Sequence, residues 1–171
     1  DGIRDKLVTG VQTCALPILE TASEPTLQRM KALGVGWTVQ DATYFGARPG
    51  DLMPALNTAR RVGVNVGAGT DAHRVMSYNP FTSLQWLLDG KTVAGQAIGR
   101  LEEAPNRENA LRLYTVGSAW FSKDETKRGT LEVGKLADLA VLSADYLTIP
   151  VNEVGNLQSL LTMVGGKIVY S

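Results

Sequence analysis

Residues 64–73 read VNVGAGTDAH, and the fold of the whole chain turns on this stretch. Val64 to Ala68 is short, apolar and β-branched, the pattern of a buried strand. Gly69, Thr70 and Asp71 follow at once, so a carboxylate sits just past the strand's C-terminal end. In α/β sheets and barrels, ligands and catalysis collect at that end of the strands. A carboxylate there can bind a metal, orient a water or take its proton. An Asp after a strand is also a common cap or turn former, and this stretch alone does not separate the roles. Gly67 and Gly69 read as residues that let the backbone turn and keep space clear around the carboxylate.

Working toward the N-terminus, Asp51 to Val62 reads as a helix, with Asp51 as its N-cap and Gly63 as its stop. A polar loop over residues 41–50 precedes it, broken by Gly46, Pro49 and Gly50. Before that, Val35 to Gln40 reads as a strand. Glu24 to Leu33 reads as a helix capped by Ser23, with Pro25 in its first turn and Gly34 past its end. Helix–strand–loop–helix–strand alternation indicates a parallel α/β arrangement. Two such units do not close a barrel. Gln40 and Asp41 end the first strand on the same side of the sheet as Asp71. Gln40 is a pocket-lining candidate, and Asp41 reads as a turn former.

Toward the C-terminus, Asn79 caps a helix over residues 80–88, and Gly90 to Pro105 reads as loop with short turns. Asn106 caps an amphipathic helix from Arg107 to about Phe121. A strand follows over residues 138–142, and two short strands flank Gly165-Gly166 as a hairpin. Asp138 is expected to accept backbone hydrogen bonds at the entry to its strand. Trp37, Trp86 and Trp120 are expected in the core.

Composition narrows the chemistry. Across 171 residues Lys plus Arg equals Asp plus Glu, so charge gives no reason to expect nucleic acid or a membrane surface as partner. No apolar run approaches the roughly 20 residues that span a bilayer. The one cysteine, Cys14, leaves no internal disulfide. The one histidine, His73, leaves the chain short of the ligands a zinc site normally needs.

Two resemblances add to this reading. Residues 1–18 (DGIRDKLVTGVQTCALPI) resemble translated sequencing-adapter sequence. They are expected to be foreign to the fold, with the natural sequence before about Leu19 replaced. From Glu24 onward the chain resembles the C-terminal part of the amidohydrolase superfamily. The resemblance rests on GTDAH, ALRLYTVGSAW, GTLEVGKLADLAVL and MVGGKIVY, in that order and spacing. It is nearest the family 3 branch, which is similar to N-substituted formamide deformylases and D-aminoacylases.

The resemblance implies an α/β fold. Residues 19–125 would be the C-terminal part of a metal-dependent hydrolase (β/α)8 TIM barrel. Residues 126–171 would be part of a small β-sandwich. It implies a parent enzyme that hydrolyses non-peptide carbon–nitrogen bonds in small-molecule amides, through water activated by a divalent metal, expected to be zinc. Asp71 would be both a metal ligand and the catalytic proton acceptor. His73, Arg74 and Gln40 are the candidates for substrate contact; for His73 and Arg74 an exposed loop residue is the competing reading. The family's His-x-His, its bridging residue and its further histidines have no match in this chain. The chain alone is therefore expected to hold no metal stably and to be inactive. A cytoplasmic location is expected, with secretion left open. The alternatives are a non-catalytic small α/β interaction module, or a different enzyme class with Asp71 in a sugar or phosphate site.

Overall fold

The computed structural model describes residues 22–41, 43–72 and 76–171. It is a mixed α/β fold with two separate sheets. Helix α1 (Glu24–Ala32) leads to strand β1 (Trp37–Val39), and helix α2 (Leu56–Val62) leads to β2 (Val66–Ala68). The two strands pair in parallel, with Trp37 opposite Val66 and Val39 opposite Ala68. The expected alternation is therefore present, with both strands trimmed at their ends.

Helix α3 (Pro80–Asp89) follows. A long helical segment then runs as α4 (Arg107–Arg112), a π-helical turn (Leu113–Gly117) and α5 (Ser118–Phe121). Strands β3 (Leu139–Leu142), β4 (Ser159–Val164) and β5 (Lys167–Tyr170) form an antiparallel sheet in that order. The β4–β5 turn falls at Gly165 and Gly166, both at positive φ, as the hairpin reading required. Asp138 accepts from the Gly165 amide at 2.7 Å, the entry bond expected of it.

The helix ends show which local signals acted. Ser23, Asn79 and Asn106 each accept from the first turn of the adjoining helix. Asp51 does not cap α2: its carboxylate accepts from the Arg48 amide at 2.6 Å. The helix starts only at Leu56, because Leu52 and Met53 are taken up in pairing with Gly99. Its cap arrives from a distant 3-10 turn, Leu101–Glu103, instead. Glu103 accepts from the Thr58 amide at 2.8 Å and from the Thr58 hydroxyl at 2.6 Å.

Trp37, Trp86, Leu27, Met53, Met76 and Leu87 are fully buried and anchor one continuous core. Each contributes on the order of 1.5–3 kcal/mol through burial of its apolar surface. Trp120 is only half-buried, and stacks edge-on against Phe121 at 5.0 Å. Two ties join the long helical segment and α3 to the C-terminal part of the chain. Arg107 donates to the carbonyls of Tyr146 and Ile149, and the Tyr146 hydroxyl returns a bond to Arg107 O. Gln85 of α3 accepts from the Gly155 amide at 2.9 Å, and Val154 is fully buried beside it. The β3–β5 sheet is far less covered: Val141, Leu160, Val164, Ile168, Val169 and Tyr170 are all exposed.

Candidate functional site

The ladder between β1 and β2 fixes the site. The Trp37 amide donates to Asn65 O at 2.8 Å, and the Gly69 amide donates to Val39 O at 3.1 Å. That second bond is the last rung. Immediately past it stand Gln40 beyond β1 and Asp71 beyond β2. Both line a cavity of about 190 Å³ at the strands' carboxyl ends, with Thr38, Gly69, Ser118 and Phe121 completing its wall. Gln40 is half-buried and Asp71 is exposed. The structure thus brings together two of the four candidate residues. His73 and Arg74 lie outside the described residues.

The glycines act differently from expectation. Gly69 has open space where a Cβ would sit and needs no positive φ. A Cβ on Gly67 would meet the Phe121 ring, so Gly67 makes room for the cavity's inner wall. The turn falls on Asp71 itself, at φ 47, a left-handed conformation that Asp tolerates better than most residues.

The long helical segment closes the outer edge of β2. Asn65 O and the Gly69 amide point to β1, so the intervening Val66 and Ala68 carbonyls turn outward. Ser118 donates to Ala68 O at 3.3 Å. Gly117 lies against Val66 O, where a Cβ would collide with the carbonyl. The π-helical turn belongs to this contact. Ser118 also donates to Leu113 O, five residues back, at 2.9 Å. Ser118 and Phe121 were not among the sequence candidates, since nothing near them marks the approach to a strand 50 residues earlier.

Behind the cavity, Asp41 is fully buried, next in sequence to Gln40. Its backbone carbonyl accepts from the Tyr44 amide, the turn foreseen for it. Its side chain does something else. Oδ2 accepts from the Ser83 hydroxyl of α3, and Ser83 in turn accepts from the Tyr114 hydroxyl. Oδ1 is buried and has no hydrogen-bond partner among the described residues. Burial pushes the Asp41 carboxyl up to about 7, with the Ser83 bond acting in the opposite direction. Tyr114 is raised too, first by burial and then by the neighbouring Asp41 charge.

The metal expected from the family resemblance finds little here. Among the described residues no three His, Cys, Asp or Glu side chains come together to hold an ion. Asp71 is the one carboxylate on the cavity wall, whereas zinc sites take about four ligands. Among the described residues Asp71 alone does not make up such a set.

The amidohydrolase family 3 model matches residues 7–170, beginning within the segment that resembles adapter sequence. An N-substituted formamide deformylase of Arthrobacter pascens is 33% identical over 108 residues, which is 63% of this chain and 20% of the deformylase. The YtcJ protein of Bacillus subtilis, named as an amidohydrolase, is 39% identical over 61 residues, 36% of this chain and 12% of YtcJ. Among solved structures, a zinc-bound adenosine deaminase of Xanthomonas campestris superposes with a TM-score of 0.65. It is 21% identical, and the match covers 87% of this chain and 35% of the deaminase. A triazine hydrolase variant gives 0.64 at 19% identity, over 92% of this chain and 35% of its own. The likeness to both solved structures is one of fold. The chain spans about a fifth or less of the curated relatives and about a third of the solved ones. Since the family model matches residues 7–170 of its 171, the chain belongs to the amidohydrolase family.

Proposed function

We propose that this chain is the C-terminal part of a metal-dependent hydrolase that cleaves carbon–nitrogen bonds other than peptide bonds in small amides. The observation that carries the reading is the shared cavity of Gln40 and Asp71 at the carboxyl ends of neighbouring parallel strands. Residues 19–125 would supply the last strands and helices of a (β/α)8 barrel, and residues 126–171 the closing strands of a small β-sandwich. The relative named as an N-substituted formamide deformylase makes N-substituted formamides the first substrates to try.

In this reading Asp71 is the one metal ligand the described residues supply, and it takes the proton of the attacking water. Gln40 offers an amide that can donate to a substrate carbonyl or accept from a substrate N–H. His73 and Arg74, outside the described residues, are the proposed candidates for substrate contact. Zinc is the proposed metal, held chiefly by residues of the whole protein that this chain does not include. The chain by itself is proposed to be catalytically silent, and the whole protein to act in the cytoplasm. Among the described residues, no helix is long and apolar enough to cross a membrane.

Expression of the complete gene tests this. The whole protein with zinc should release formate from an N-substituted formamide, and Asp71→Asn should lower that rate by about a thousandfold or more. An Asp71→Asn enzyme of normal rate would overturn the assignment. Stoichiometric zinc retained by the present chain after dialysis at neutral pH would overturn the claim that it lacks a metal site.

A further inference from the structure

We infer that Asp41, Ser83 and Tyr114 form a positioning tie that holds the carboxyl end of β1, and with it Gln40, at the mouth of the cavity. The inference rests on the reading of Gln40 and Asp71 as site residues. Three separate elements meet in the tie. Asp41 directly follows Gln40, Ser83 is on α3, and Tyr114 is on the π-helical turn. The hydroxyls are ordered in one direction, Tyr114 donating to Ser83 and Ser83 to Asp41 Oδ2.

β1 is only three residues long, and its last rung to β2 is the single Gly69-to-Val39 bond. A fully buried carboxyl is a costly way to stop a strand, since its Oδ1 gains no partner among the described residues. An apolar residue would fill the same space without that cost. What a carboxyl adds is direction: its bond to Ser83 sets where the chain leaves the strand, and so where Gln40 points. Tyr114 extends the same constraint to the helical segment that goes on to Ser118 and Phe121, which also line the cavity. One hydrogen-bond chain therefore links the two segments of the lining to each other. Asp41, Ser83 and Tyr114 are positioning residues in this account; none of the three lines the cavity.

Amide hydrogen exchange on the isotope-labelled chain tests the tie, because the ladder carries its own control. The Gly69 amide reports the last rung, beside Gln40, and the Trp37 amide reports the first. Asp41→Ala, which removes the acceptor, and Ser83→Ala should each speed Gly69 exchange at least tenfold relative to Trp37. Ser83→Thr, which keeps the hydroxyl, should restore the wild-type ratio. Equal acceleration of both amides would mean general loosening and would overturn the tie, as would no change in either. Should Asp41→Ala fail to fold, Tyr114→Phe removes only the outermost hydroxyl; it should raise the ratio about threefold, and an unchanged ratio would overturn the tie. The hydrolysis rate of the whole protein carrying Asp71→Asn examines the site reading separately. Unequal exchange together with a normal Asp71→Asn rate refutes the site reading and leaves the tie standing. A lowered Asp71→Asn rate together with equal exchange refutes the tie.

Discussion

Gln40 and Asp71 stand on either side of one hydrogen bond, the Gly69 amide to the Val39 carbonyl at 3.1 Å, and line the same cavity. The two residues are far apart in sequence and depend on different supports. Gln40 is backed by buried Asp41, whereas Asp71 is exposed and held by its own left-handed turn. Each support can be removed without touching the other.

Asp41 makes stability depend on pH. Its folded value, about 7, lies above the ordinary 3.8, so the folded state binds this proton more tightly than the unfolded one. The stability from that proton is fully present below about pH 4 and lost as pH rises through 7. The difference amounts to about 4 kcal/mol, at roughly 1.4 kcal/mol per unit. Denaturant midpoints should therefore fall between pH 5 and pH 8. Asp41→Asn should flatten that slope and be the more stable chain at pH 8. A wild-type midpoint that rises over this interval would show that Asp41 is charged in the fold.

Asp71 should be replaceable without harm to the fold. Its φ of 47 suits glycine, and its side chain is exposed. Asp71→Gly should leave stability unchanged or raise it by up to about 1 kcal/mol. Thermal melts of the two chains decide this. A loss of more than about 1 kcal/mol would point to a structural role for the carboxylate.

Gly117 is the opposite case. A Cβ there would strike the Val66 carbonyl, which is backbone and cannot rotate aside. Gly117→Ala should cost about 2–3 kcal/mol, the range seen for overpacking. Gly46 is exposed, with nothing within 4 Å of a Cβ, and Gly46→Ala should change stability by less than about 0.5 kcal/mol. Urea titrations of the pair measure the contrast directly.

Glu103 should behave as the N-cap of α2. Removing its carboxylate frees the Thr58 amide and hydroxyl together. Glu103→Ala should lower stability by about 1–2 kcal/mol, and Asp51→Ala by less. Equal losses would return the cap to Asp51.

The contrast between Glu103 and Asp51 shows how far the sequence carried. Where a cap lies beside its helix, as with Ser23, Asn79 and Asn106, the local pattern was sufficient. So were the glycine stop at Gly63 and the hairpin at Gly165-Gly166, since each needs only a positive φ at one place. The cap of α2 could not be read, because it comes from 45 residues away and Gly99 has claimed the residues where the helix was expected to start. The π-helical turn was equally hidden, for it answers to a strand edge and not to its own residues. The place of Asp71 and Gln40 just past the strand ends was legible, because strand ends advertise themselves. Asp41 was read as a turn, which its backbone makes, while the fate of its side chain was decided by Ser83 and Tyr114, 42 and 73 positions on.

Helix α3 answers to two neighbours at once. Ser83 serves the strand end at Asp41, and two residues later Gln85 serves Gly155, close to the β3–β5 sheet. The same ten-residue helix is thus shared property of both halves of the chain. Recombination that exchanged everything after residue 125 for a relative's version would leave Gln85 and its neighbours facing a surface shaped for another helix. The two halves are heritable only together, and substitutions at Gln85 and Gly155 should travel as a pair through descent.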